Sequence, residues 1–196
     1  MFVKLLKSAS IVLLVLNFMA CSLFTPAVPA PDIAEIEKEE QAVYSFFVGG
    51  NTGTALILQN TSTNMADDNP QQTMDYIRSG LKGISDGTIN SYLKRNAMPS
   101  QLRPDMQLGT QYVLLDEAEL AEITRQPNWG QVLNEKYPNS HGYTMFSRVG
   151  FNNSLDQAVI YVGQMAGPLM GSGYYYLMEK QNGDWVIKQQ VMVWIS

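Results

Sequence analysis

The sequence predicts an α+β domain, with helices in the first two-thirds of the chain packed on an antiparallel sheet of four or more strands at its C-terminal end. Three observations carry this. Runs with apolar residues at helical spacing, most with a start signal, recur between residues 32 and 137. From residue 143 the pattern changes to short runs rich in β-branched and aromatic residues. Two of those runs flank Asn182-Gly183, the strongest short hairpin signal there is.

Asp32 is placed to cap "IAEIEKEEQAVYSFFV", in which Ile33, Ile36, Val43, Tyr44 and Phe47 fall on one stripe, and Gly49-Gly50 ends the run. The acids at 35–40 alternate with Lys38 and read as the solvated face of that helix rather than as a metal site. "TALILQ" at 54–59 reads as a strand. After a polar loop, Asn69-Pro70 has the form of a cap followed by proline at the first helical position, so "QQTMDYIRSGL" follows as a helix burying Met74, Ile77 and Leu81. Asp86 then caps "GTINSYLKRN", which buries Ile89, Tyr92 and Leu93. "TQYVLLD" at 110–116 is a strand. "EAELAEI" and "PNWGQVLNEKY" are short helices, the second starting at Pro127 and burying Trp129, Val132 and Leu133.

The four C-terminal runs are "YTMFSRVGFN", "QAVIYVGQ", "GYYYLMEK" and "DWVIKQQVMVWI". A two-residue turn at Asn182-Gly183 pairs Gln181 with Asp184, Met178 with Ile187 and Tyr176 with Gln189. Tyr174, Tyr176 and Met178 then share a core face with Trp185, Ile187 and Val191. Tyr175, Leu177, Glu179, Val186, Lys188 and Gln190 form a more mixed face, partly wet or covered by a helix.

The N-terminal end carries an address. Lys4 and Lys7 precede an apolar run from Ile11 to Ala20, too short to span a membrane, and this reads as an export signal over residues 1–20. Cys21, the single cysteine, follows in "NFMAC". This resembles the lipobox of bacterial lipoproteins, with Ala20 at the small position and Phe18 and Met19 departing from the usual residues. The resemblance implies cleavage before Cys21 and anchoring through its palmitate-like acyl chains, with 21–31 a Pro-rich tether and 32–196 one domain. Ser22 in place of the aspartate that marks inner-membrane retention tilts the anchor to the outer membrane. The alternative is a soluble periplasmic protein with a free thiol. Removing the two lysines of the signal from thirteen basic residues leaves eleven against eighteen acids, a formal charge of −7, which argues against a nucleic-acid partner.

"FSRVGFN", "QAVIYVG" and "GSGYYYLMEKQNGDWVIKQQVMVWIS" together resemble a group of uncharacterised bacterial exported proteins and lipoproteins sharing an SRVGFN strand, a glycine-rich bend and a last hairpin closing in "WIS". The resemblance covers about 55 residues and implies an envelope location and a single domain, but no activity. Some members of that group carry cysteines around the bend, where this chain has Met165 and Met170, so no disulfide is implied here. The helix-then-meander order is also loosely similar to cystatin-like and NTF2-like folds, which enclose a pocket between sheet and helix.

The chemistry is sparse. "GQMAGPLMGSGYYYL" at 163–177 matches no phosphate loop, since no Lys or Arg occurs from 149 to 179, and a strand rather than a helix follows it, so it reads as a bend between strands. His141 is the single histidine and sits in a turn-like stretch. With Cys21 lipidated there is no second His or available Cys for zinc or Cys–His chemistry, no motif supports a Ser/His/Asp set, and no cofactor is indicated. The candidate ligand-binding residues are Arg148, flanked by apolar residues, with Tyr174, Tyr176 and Trp185. Arg148 either pairs with a carboxylate, points into a cavity that accepts an anion, or lies on an exposed edge.

These readings converge on a non-enzymatic envelope lipoprotein that binds a small ligand or a partner protein. A pocket with Arg148 and the tyrosines favours the ligand, and a broad apolar patch favours the protein. The alternatives are a small cone-fold enzyme working with one acid and a Tyr or Arg, and an envelope assembly protein.

Overall fold

The first helix, α1 (Ile33–Val48), starts where the Asp32 carboxylate accepts the Glu35 amide at 2.7 Å and stops at Gly49. In the computed structural model, which describes residues 29–50, 52–62 and 69–196, this helix covers one face of a seven-stranded sheet. The export signal, Cys21 and most of the tether lie outside the described residues. Among the described residues no helix is long and apolar enough to cross a membrane.

The remaining elements are β1 (Ala55–Leu58), α2 (Pro70–Gly80), α3 (Asp86–Arg95), β2 (Tyr112–Leu115), α4 (Glu117–Thr124), α5 (Trp129–Lys136), β3 (Tyr143–Phe146), β4 (Gly150–Phe151), β5 (Gln157–Gly167), β6 (Met170–Gln181) and β7 (Asp184–Ile195). The sheet order is β2-β1-β3-β5-β6-β7, with β4 also on β5. The C-terminal strands are antiparallel, as the sequence predicts. β1 extends them by pairing parallel with both β2 and β3, so the whole sheet is mixed.

Helices cover both faces. Val43, Tyr44 and Val48 of α1 pack on Ile57, Phe146, Ile160, Val162 and Met178. On the opposite face, Ile77, Leu81, Ile89 and Tyr92 of the α2–α3 pair bury Val159, Tyr161, Tyr175 and Leu177. There too, Leu120, Ile123, Trp129 and Leu133 of α4 and α5 bury Leu56 and Leu115. The "mixed" face of the hairpin is therefore core at Tyr175 and Leu177, where α2 and α3 cover it, and partly wet beyond them, with Glu179 and Val186 half-buried and Lys188 exposed.

Several local expectations are corrected. The cap of α3 is Ser85, whose hydroxyl accepts the Thr88 amide at 3.2 Å, while Asp86 is the first helical residue and pairs with exposed Arg78. Helix α5 begins at Trp129, two residues after Pro127, and Asn128 makes no side-chain cap. Ile33 is 76% exposed, while Glu40 of the supposedly solvated acidic face is 6% exposed. "YTMFSRVGFN" is two strands, and Arg148 lies in the break between them rather than mid-strand.

The last hairpin turns at Asn182 and Gly183, with φ of 54° and 97°, and pairs Gln181 with Asp184 and Met178 with Ile187 as expected. Beyond that point Leu177 faces Gln189 and Tyr176 faces Gln190, because Lys188 is an extra residue bulged out of β7. A one-residue slip moves every later side chain to the other face. Val191 consequently packs beside Tyr175 under α2, not beside Trp185.

The glycine-rich stretch is strand on both sides of a tight turn at Pro168-Leu169. Its glycines leave room for the Trp194 indole. A Cβ built on Gly173 would come within 2.6 Å of Trp194 Cε2, and one on Gly171 within 3.0 Å of Trp194 Cζ3. The indole instead lies flat over the strands, and its Nε1 donates to the Tyr161 hydroxyl at 2.7 Å.

Candidate functional site

The α1 side of the sheet can be followed row by row through the strand register. Ile160 lies beside Tyr176, then Phe146, Val162, Tyr174 and Met192 form the next row. α1 ends over these two rows. Its Tyr44 ring stacks on Phe146 with centroids 4.6 Å apart, and Phe47 lies 4.9 Å from Tyr176.

One row further, past the last turn of α1, the face turns polar. Thr144 of β3, Gln164 of β5 and Ser172 of β6 are direct cross-strand partners, flanked by Ile57 on β1 and Ile195 on β7. These three side chains open into a hollow of about 420 Å³, whose rim includes Thr54 and His141. None of the residues lining the hollow is Asp, Glu, Lys or Arg. Among the described residues the side chains of Thr54, His141, Thr144, Gln164 and Ser172 make no hydrogen bond, although Thr144 is 8% exposed. Ala55 and Met170 supply apolar wall.

The four residues singled out from the sequence do not form one site. Arg148 takes the first of its three options. Its Nε donates to Glu40 Oε1 at 2.9 Å and a terminal nitrogen meets Oε2 at 2.7 Å, while Arg95 and the Val149 amide take Oε1 as well, each at 2.9 Å. Asn96 braces the same stretch, accepting the Arg148 amide and donating to its carbonyl. Burial works against the charged guanidinium, but the hydrogen bonds and charge of Glu40 outweigh it, and the pKa of Arg148 is raised. Arg148 is a fastening of α1 to the β3–β4 break, not a free anion receptor.

Trp185 is also committed. Its Nε1 donates to Glu39 Oε2 at 2.8 Å, and its ring packs 5.6 Å from Phe151 under the Lys180 ammonium. Tyr174 and Tyr176 do lie together, ring centroids 5.8 Å apart, half-buried on the α1 face beside the polar row. Burial first, and then the neighbouring Tyr174, raise the pKa of Tyr176.

Sequence reasoning missed Thr144, Gln164 and Ser172. One signal was present: along "AVIYVGQ" the alternate positions Ala158, Ile160 and Val162 give way to Gln164. That Thr144 and Ser172 stand level with Gln164 follows from strand register alone. No group of three or more His, Cys, Asp or Glu suited to a metal occurs among the described residues. No protein-family model, curated protein or solved structure matches the chain, so its chemistry rests on this geometry.

Proposed function

We propose that this chain is an exported lipoprotein, anchored through Cys21 to the outer membrane, whose domain binds a small ligand without transforming it. The polar row Thr144–Gln164–Ser172 carries this reading. Its three uncharged side chains share one hollow and make no hydrogen bond among the described residues, with Thr144 buried, Ser172 half-buried and Gln164 exposed, so a ligand can meet all three. The non-catalytic part is supported by the fate of the buried acid: both oxygens of Glu40 are occupied by Arg95, Arg148 and the Val149 amide, leaving no acid free to shuttle a proton there. The anchor is supported by the basic start, the apolar run and Cys21 in "NFMAC". The envelope group that the C-terminal hairpin resembles supports the same location.

Native mass spectrometry of the full chain, taken from its own membrane fraction in mild detergent, tests both parts. The expected result is a mature chain beginning at Cys21 with acyl mass, carrying an extra bound species. A chain without acyl mass ends the lipoprotein reading. A lipidated chain that is empty shifts the reading to a partner protein at the exposed Leu169, Met170 and Ile195 beside the hollow.

A further inference from the structure

We infer that the hollow beyond the end of α1 takes a neutral, hydroxyl-rich ligand of the saccharide class; this rests on the reading of the hollow as a binding site. Charge decides first. With no Asp, Glu, Lys or Arg in the lining, an ionic ligand would give up water and find no counter-charge. An apolar ligand fits no better, because it would cover the Thr144, Gln164 and Ser172 side chains and leave them unsatisfied.

The character of the polar groups decides next. Threonine and serine hydroxyls and a carboxamide each both donate and accept. A sugar hydroxyl does the same, so either partner can supply the proton in each pair. Thr144, Gln164 and Ser172 also stand in one line across three adjacent strands, the spacing of neighbouring strands being about 4.8 Å. A ring bearing hydroxyls around its edge meets such a row at several points, whereas a single polar group would use one. Ala55 and Met170 offer apolar surface to the C–H face of a ring. The volume, about 420 Å³, lies in the lower part of the range of about 300–1,000 Å³ typical of small-molecule sites and suits one or two sugar rings.

The test uses the full chain in a polyoxyethylene-ether detergent, because glycoside detergents would compete. Saturation-transfer NMR and calorimetry are run with maltose and N,N′-diacetylchitobiose as neutral probes, and with glucuronate and glucosamine as charged ones. The expected result is binding of at least one neutral disaccharide and none of the charged sugars. Gln164→Leu and Thr144→Val should each weaken that binding by several-fold to about ten-fold while leaving the melting temperature within a few degrees. A charged sugar that binds as well as the neutral ones overturns the inference, and so does binding indifferent to both substitutions. If no sugar binds but a co-purified species is lost from the Gln164→Leu chain, the saccharide assignment fails and the ligand-binding reading stands. If no sugar binds and nothing co-purifies, both fail.

Discussion

Arg148 holds Glu40 by both carboxylate oxygens, at 2.9 and 2.7 Å, across 108 positions of sequence. The pair ties the middle of α1 to the break between β3 and β4, and Arg95 joins α3 to the same carboxylate. Two helices and the sheet thus meet at one acid that is 6% exposed.

Removing that acid strands two guanidinium groups in a partly dry site. Breaking a buried pair from one side costs about 3–5 kcal/mol. Glu40→Ala should lower the unfolding free energy from urea denaturation by an amount in that range, seen as a lower midpoint at an unchanged slope. Glu40→Gln keeps the shape but loses the charge and should fall between the variant and the parent. A loss below about 1 kcal/mol for Glu40→Ala would show the network to be ornamental.

The Trp194 indole occupies the space that a methyl group on Gly173 would need. Gly173→Ala should cost about 1–3 kcal/mol through overpacking. Combining it with Trp194→Ala should cost less than the two single changes added together, because the nearest clash goes with the ring and, of the nearest atoms, only the Tyr161 hydroxyl, 2.8 Å from the added carbon, remains. Additive losses in this double-mutant cycle would mean the glycine is needed for its backbone instead.

Ser85, not Asp86, accepts the Thr88 amide at the start of α3. Ser85→Ala should therefore cost about 1 kcal/mol. Asp86→Ala removes only an exposed pair with Arg78 and should cost well under that. Thermal melts of the two variants, in the reverse order, would contradict the cap assignment.

Alkaline pH should unfold the domain through its buried tyrosines. Burial, then the nearby Glu40 carboxylate, holds the Tyr44 hydroxyl well above the ordinary phenol range; burial raises Tyr161 and Tyr176 too. Their folded pKa values exceed the unfolded value of about 10, so the native state keeps protons that the unfolded chain releases. Their contribution is complete below about pH 10 and is lost as pH rises through the folded values. The melting temperature should fall from about pH 10 upward, and tyrosinate absorbance from the buried set should appear together with unfolding. Tyr44→Phe should soften that fall and cost about 1 kcal/mol at neutral pH, where the hydroxyl donates to the Ser147 carbonyl.

Most local signals in the sequence hold, although the cap of α3 lies one residue before Asp86 and α5 starts two residues after Pro127. Asp32 and Asn69-Pro70 start helices as their chemistry requires, and Asn182-Gly183 turns the last hairpin. They failed where a distant group overrides the local pattern. Glu40 looks like solvated helix surface until α3 and the β3–β4 break bring Arg95 and Arg148 to it. Gly171 and Gly173 look like part of a bend until Trp194, more than twenty positions on, lies over them.

The chain by itself determined the order of helices and strands and the α+β class. Apolar spacing, caps and turn residues act within a few residues of one another. Tertiary structure alone decided which face each side chain joins. One bulged residue, Lys188, sends Val191 to the opposite core from Trp185, because a strand has a period of two. The candidate site has the same origin. Thr144, Gln164 and Ser172 carry no common motif, and strand register is what sets them side by side in one hollow, Gln164 opposite Ser172 across the β5–β6 hairpin and Thr144 beside Gln164 from β3.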